Sequence, residues 1–194
     1  MKYNLSLLTM ALLLGHVALA QDSTFSLPTK NGAIFYQQVI SVDSVPKSEL
    51  FDRGRMWAVD YFNSAKDVIQ IADKDAGQLT GKGIFVLANT KYSLGYQSSV
   101  KFTFNIQYKD EKYRVQFYDF IITSVSPING QSVTDPMDSV YYHFINHQEH
   151  KALFESKKNA VRRYAGYLYS FVGQVDVAEK SLYSYENGQH KTDF

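Results

Sequence analysis

The hydrophobic positions along the chain follow two different periods. From Ser98 to Tyr108, Val100, Phe102, Phe104 and Ile106 alternate with Lys101, Thr103, Asn105 and Gln107. Alternation of period two predicts a strand with one buried and one wet face. The polar turn Lys109-Asp110-Glu111-Lys112 leads into a second such run, Tyr113 to Ser124, with Tyr113, Val115 and Phe117 on one side. Asp119 then interrupts the apolar side while Phe120 and Ile122 take up the other, so a bulge that shifts the register is expected there. Ala33 to Asp43, Val68 to Ala72 and Thr80 to Asn89 read as three more strands, the last two joined by the loop Asp73-Lys74-Asp75-Ala76-Gly77.

A helical period enters twice. Leu50, Gly54, Trp57, Ala58 and Tyr61 share one helical face, widened by Phe51 and Phe62, in a helix ending near Asn63. Ser44 is expected to cap it and Pro46 to occupy its first turn, where a missing N–H does no harm. From Asp138 onward the pattern is helical again. Leu153, Phe154, Ala160, Val161, Tyr164, Ala165, Leu168, Phe171, Val172 and Val175 form one stripe, predicting a helix from about Gln148 to Leu182 that Gly166 or Gly173 can bend. Ser126 to Asp138 holds Pro127, Asn129-Gly130 and Pro136 and reads as a loop. The order is strand, helix, four strands, long helix. Short connections make it an α+β fold, an antiparallel sheet of about five strands with helices on one face.

The two ends change the picture. Lys2, the apolar run Leu5 to Leu14 and Ala18-Leu19-Ala20 make the three parts of a cleaved secretory signal, and the apolar run is too short to span a bilayer. The expected organisation is a signal peptide over 1–20 and a polar leader over 21–32. An α+β domain over 33–125 and a loop over 126–138 follow. A helical segment over 139–182 packs on the sheet, and a polar tail over 183–194 frays. Removal of the signal leaves 174 of the 194 residues, with 19 basic and 19 acidic side chains and no transmembrane helix. Zero net charge argues against a nucleic-acid partner. The chain has no cysteine, which excludes disulfides, thiolate metal sites and a cysteine nucleophile.

Several runs together resemble a known family. They are Val39-Ile40-Ser41-Val42 leading into Ser48-Glu49-Leu50-Phe51, Trp57 in the helix, the stretch from Asp73 to Gly83, and Lys112-Tyr113-Arg114-Val115 before Asp119. The region Ile34 to Thr123 resembles the domain of unknown function with a TATA-binding-protein-like (TBP-like) fold found in exported bacterial proteins. The resemblance implies a curved antiparallel sheet with helices on one side. It carries no catalytic residues across, and a fold name does not imply DNA binding.

Candidate chemistry is sparse. His143, His147 and His150 stand at i, i+4 and i+7, one helical face on which three imidazoles can converge on a zinc-like ion. The alternative is a His-rich polar helix start. Asp73 to Gly77 lacks the third ligand and the twelfth-position glutamate of a calcium loop and reads as a charged hairpin turn. Gly81-Lys82-Gly83 lacks the spacing of a phosphate loop, so its glycines are expected to permit a turn or bulge. Asp119 and Glu111 are weak candidates for paired carboxylates, and Asp119 is the acid whose burial matters. Lys157, Lys158, Arg162 and Arg163 form a basic helix face. Tyr141, Tyr142, Tyr164, Tyr167, Tyr169, Tyr183 and Tyr185 cluster late, and Tyr164, Tyr167 and Tyr169 with Arg162 and Arg163 make a candidate interaction surface.

The sequence points to an exported, non-catalytic binding or accessory module of the bacterial cell envelope, periplasmic or secreted. It needs no cofactor and meets a protein or small-molecule partner. The alternatives are a metal-dependent enzyme or metal-binding protein built on the histidines, and a structural subunit assembling through its sheet edge or long helix.

Overall fold

The computed structural model describes residues 25–62, 68–89, 95–149 and 158–189, without the side chains of 147–149 and 158–160. In chain order the elements are β1 (Thr29–Lys30), β2 (Ala33–Ile34), β3 (Tyr36–Ser41), α1 (Lys47–Phe62), β4 (Ile69–Asp73), β5 (Gln78–Val86), β6 (Gln97–Lys109), β7 (Lys112–Val125), β8 (Ser132–Pro136), α2 (Met137–Glu149) and α3 (Lys158–Glu186).

Six strands form one antiparallel sheet in the order β3-β7-β6-β5-β4, with β8 also pairing β7. One edge of β7 carries two neighbours in succession. β3 pairs Lys112 to Phe117 and β8 pairs Ile121 to Val125. The break between them is the expected bulge. Lys101 opposes Ile121 while Thr103 opposes Tyr118, so Phe102 faces both Asp119 and Phe120. Asp119 has φ 56, the left-handed region in which an aspartate is tolerated better than most residues. Tyr113, Val115 and Phe117 point inward before the bulge, and Phe120 and Ile122 after it. The extra residue keeps both halves of β7 facing one core. It also turns Asp119 out to solvent, 3.4 Å from the Thr103 hydroxyl, so this carboxylate is not buried.

The three helices among the described residues cover the inner face. Leu50, Phe51, Trp57 and Ala58 come from α1, Met137, Val140 and Phe144 from α2, and Leu168, Phe171, Val175, Ala178 and Leu182 from α3. The last five recur at 3, 4, 3 and 4, a single helical stripe against the sheet. Full burial of each large apolar side chain stabilises the fold by roughly 1.5–3 kcal/mol.

Four local readings change in detail. The stretch read as a loop over 126–138 contains β8, which joins the expected antiparallel sheet of about five strands as a sixth. The end of the polar leader pairs with the residues that follow it as a hairpin, β1 with β2. Asn31 and Gly32 both take positive φ (54 and 82), as a two-residue hairpin turn requires. Leu27 N–H donates to the Tyr141 hydroxyl at 3.0 Å and Ile34 N–H to Asp138 Oδ1 at 2.7 Å, which fasten this hairpin to α2. Ser44 does not cap α1. The free Lys47 N–H donates to Asp110 Oδ1 at 2.9 Å, from the β6–β7 turn, and the Pro46 carbonyl accepts from Leu50 N–H at 3.1 Å. Finally, α3 runs unbroken through Gly166 and Gly173 to Glu186, so part of the expected tail is helix and its Tyr185 and Glu186 are buried. Leu153 and Phe154 lie outside the described residues.

Candidate functional site

β4 accompanies β5 only as far as Gly81, which pairs with Ile69. β5 continues to Val86, held on its other side by β6 with Lys82 opposite Thr103, Ile84 opposite Lys101 and Val86 opposite Ser99. Among the described residues, Lys82 to Val86 therefore have a strand neighbour on one side alone. Along this free edge runs a cleft of about 750 Å³ between the end of α1 (Tyr61, Phe62), Val68, β5 and Gln174 of α3. That volume falls within the range of small-ligand sites.

Glycine builds the cleft. A Cβ at Gly83 would stand 2.5 Å from Cζ of Phe102 and 2.6 Å from Cε1 of Phe62, and one at Gly81 would stand 2.4 Å from Cζ of Phe104. The missing side chains let neighbouring rings lie over the strand. These two glycines serve ring packing in the middle of a strand rather than a turn, and Gly81 stands opposite the register shift of β4 between Ile69 and Ile71, so the bulge expected of them falls in the neighbouring strand. Phe62 stacks on Phe104 with ring centroids 5.7 Å apart and planes at 5°, and meets Trp57 edge-on at 5.6 Å. At the far end, Leu87 N–H donates to the Ser98 carbonyl at 2.9 Å and Ala88 N–H to the Ser170 hydroxyl at 2.8 Å, which ties the chain leaving β5 to β6 and α3.

Two cations rim the cleft. Lys82 and Lys101 lie on the outer face as diagonal neighbours across β5 and β6. Among the described residues neither has a hydrogen bond or ion pair, and the described lining holds no carboxylate. Ile84 (54% exposed) and Val86 (72%) stand beside them. Tyr61 is half-buried, and its phenol is pushed above its ordinary pKa by that burial. Among the described residues the lining includes no histidine, serine or threonine to form a nucleophile–base pair with a neighbour. It can hold an apolar body against aromatic walls and an anionic group at the lysines.

The residues singled out from sequence are elsewhere. His143 is exposed and stacks on Tyr164 with centroids 6.3 Å apart. His147 sits in α2 with its side chain undescribed, and His150 lies outside the described residues, as does Lys157. Among the described residues no group of three or more potential metal ligands occurs. The tyrosine and arginine set does not form one surface. Tyr169 (62% exposed) and Arg162 face outward, Tyr164 and Arg163 are half-buried, and Tyr167 (8% exposed) belongs to the core, a correction of its place on an interaction surface. The reason is phase, because Tyr167 precedes Leu168 on the stripe that packs inward. Asp73 to Gly77 is a hairpin turn in which Asp73 Oδ1 accepts from Ala76 N–H at 2.8 Å and Gly77 takes φ 65. Glu111 accepts from Ser44 N–H at 3.2 Å and is remote in the sheet from Asp119.

One polar group went unnoticed in the sequence. The Glu186 carboxyl is fully buried at the seam of α1 and α3, where its Oε1 accepts from the Tyr108 hydroxyl at 3.0 Å. Its Oε2 and the buried Tyr113 hydroxyl have no hydrogen-bond partner among the described residues. Desolvation pushes the Glu186 pKa up to about 8, against the opposing pull of the Tyr108 hydrogen bond and the nearby Arg53 charge. Arg53 itself donates to the Glu186 backbone carbonyl and pairs with Glu49 at 2.5 Å. A glycine again makes the room, since a Cβ at Gly54 would fall 1.7 Å from the Tyr108 hydroxyl oxygen.

Comparison with known proteins bears on the fold. None of the curated proteins compared with the chain matches it. A DUF4468 family protein from Bacteroides ovatus superposes with a TM-score of 0.58 at 15% identity, over 82% of this chain and 90% of that one. A TBP-like protein from Parabacteroides distasonis superposes with a TM-score of 0.52 at 18% identity, over 78% of this chain and 96% of that one. Residues 36–123, from the start of β3 through α1 and β4–β6 to near the end of β7, match the model of the domain of unknown function (DUF4468) with TBP-like fold.

Proposed function

We propose that this protein is an exported, non-catalytic binding module of the bacterial cell envelope, and that it takes its partner at the cleft beside β5. The observation that carries the reading is the described lining itself, which combines aromatic walls and two lysines without a described partner and holds no nucleophile–base pair. Such a site binds and orients, and it offers little to activate a bond. Export rests on the three-part segment Met1 to Ala20. The bacterial setting agrees with the sources of the two similar folds.

A photo-crosslinking residue placed at Ile84 in the full chain, in intact cells, tests both halves. The expected result is one defined adduct from Ile84 and none from the same probe at Tyr183, which is exposed on α3 away from the cleft lining. The recovered chain should begin at Gln21 and fractionate with envelope or medium. Equal adducts from both positions, or none from either, remove the cleft as the binding site. A chain retaining Met1 in the cytoplasm removes export.

A further inference from the structure

We propose that Asn31 is a site of spontaneous modification, where the folded protein converts a side-chain amide to an acid through a cyclic imide, while Asn129 and Asn187, the other asparagines followed by glycine, are protected. The inference is independent of what the cleft binds.

The chemistry is intramolecular and needs only water. The Gly32 amide nitrogen attacks Cγ of Asn31. The new N–Cγ bond closes the imide ring, the Cγ–Nδ2 bond breaks, and ammonia leaves with the proton that the amide nitrogen gives up. Water then opens the ring at either carbonyl. Opening at Cγ gives aspartate. Opening at the main-chain carbonyl leaves the chain running through Cβ and Cγ, an isoaspartyl link. Glycine favours the attack because no Cβ shields its nitrogen. The sequence holds three such pairs, Asn31-Gly32, Asn129-Gly130 and Asn187-Gly188.

The structure separates them by what each reacting group is already bonded to. At Asn187, Nδ2 donates to the Tyr183 carbonyl at 2.9 Å and Gly188 N–H donates to the Tyr185 carbonyl at 3.0 Å. Gln189 N–H donates to the Ser184 carbonyl at 2.9 Å, which closes the end of α3. At Asn129, Oδ1 accepts from Gln131 N–H at 3.1 Å and Nδ2 donates to Gln131 Oε1 at 3.0 Å. The nucleophile there is held too, since Gly130 N–H donates to the Ser126 carbonyl at 3.1 Å. At Asn31 neither the side chain nor the Gly32 N–H has a hydrogen bond among the described residues. Thr29 to Ala33 are all exposed, and a Cβ at Gly32 would meet nothing within 4 Å.

The backbone at Asn31 can also turn. Its φ of 54 must change to bring Cγ onto the Gly32 nitrogen. Two residue pairs alone hold β1 to β2, Thr29 with Ile34 and Lys30 with Ala33. So short a ribbon opens at its tip at little cost. The fastenings to α2 at Leu27 and Ile34 lie behind the tip, so it opens without releasing the hairpin. Conversion places a carboxylate next to Lys30 and makes the neutral mature chain acidic. The isoaspartyl product also lengthens the backbone of a two-residue turn, which breaks the pairing of Lys30 with Ala33.

The test incubates the purified mature chain in warm, mildly alkaline buffer, beside a sample unfolded in guanidinium chloride, and follows both by peptide mapping with mass spectrometry. Unfolded, the three pairs should convert at similar rates. Folded, Asn129 and Asn187 should slow by about tenfold or more, because their hydrogen bonds must break first, while Asn31 stays within about threefold of its unfolded rate. The Asn31 product should contain isoaspartate as well as aspartate, which direct hydrolysis of the amide does not give. Protection of Asn31 equal to that of the other two overturns the proposal. So does conversion of either of those as fast as Asn31 in the folded chain, or aspartate without isoaspartate.

Discussion

Helix α1 meets the sheet differently at two places, and glycine prepares both. At its C-terminal end Phe62 lies over Gly83 and leaves an open cleft rimmed by the unpaired ammonium groups of Lys82 and Lys101. In its middle Gly54 admits the Tyr108 hydroxyl and the Glu186 carboxyl into a sealed seam with α3. Among the described residues, the seam holds an acid with no cation on its carboxylate, and the cleft displays cations with no anion. Water makes the difference. In the seam the environment discourages ionisation, and the acid answers by keeping its proton. At the cleft water supports the charge at little expense, so the incompleteness persists until a partner removes it. Polar groups of the seam should therefore govern stability, and those of the cleft should govern binding.

The largest expected effect is the pH dependence of the seam. The Glu186 pKa is raised in the folded state from 4.5 to about 8, chiefly by desolvation. Below pH 4.5 the carboxyl is protonated in both states and sets no penalty. Between pH 4.5 and 8 the unfolded chain releases a proton that the folded chain retains, so stability falls as pH rises. Above about pH 8 the loss is complete, with an upper bound of about 5 kcal/mol. The groups facing this carboxyl are Arg53 from α1, Tyr108 from β6 and Tyr113 from β7, and burial holds both tyrosines above their ordinary pKa. Urea unfolding of the parent and of Glu186→Gln across pH 5 to 8 isolates the effect. The glutamine still accepts the Tyr108 hydrogen bond and should flatten the slope. Parallel slopes in the two proteins would mean that the seam is wet.

A matched pair of substitutions comes next. Gly54→Ala drives a methyl group to 1.7 Å from the Tyr108 hydroxyl oxygen and 2.7 Å from Glu186 Oε1. Both atoms are walled in, and displacing them also breaks their mutual hydrogen bond. A loss of about 3 kcal/mol is expected, after allowing for the roughly 1 kcal/mol that alanine gains over glycine in a helix. Gly83→Ala meets Phe102 and Phe62, of which Phe62 borders the cleft and can move into it. We expect about half the loss there, by chemical denaturation, together with a smaller cleft. Equal losses would show that the cleft wall is as rigid as the seam.

What the sequence reveals depends on whether a residue's environment shows in its neighbours. β6 is legible because Val100 to Ile106 are buried on one face and wet on the other. The slip at Asp119 is legible for the same reason, since a bulge inverts the phase of the pattern. β8 is illegible because all five of its residues are exposed, which leaves no alternation to detect. The cap on α1 comes from Asp110 across the fold, and no local motif around Ser44 announces it. Glu186 looks like tail because its burial depends on a glycine in another helix. The cleft is hidden by a subtler route. Lys82 and Lys101 look like ordinary wet-face residues, and they become a site only because β4 stops opposite Gly81. Gly81-Lys82-Gly83 opposite Phe102 and Phe104 was the available signal, a strand stripped of side chains where its neighbour carries rings.

The smallest expected effect on stability falls on those lysines, and it tests the comparison most sharply. Both side chains project from the wet face, neither holds a partner among the described residues, and they approach each other as like charges. Replacing both, Lys82→Ala with Lys101→Ala, removes a weak repulsion and two long exposed stems. The unfolding free energy should stay within about 0.5 kcal/mol of the parent, and any shift should be upward. Affinity for an anionic partner at the cleft should fall in the same variant. A stability loss above roughly 1 kcal/mol would mean that the lysine stems pack against Ile84 and Val86 as part of the fold. The cleft rim would then be structure, like the seam, and its unpaired charge would no longer argue for a partner.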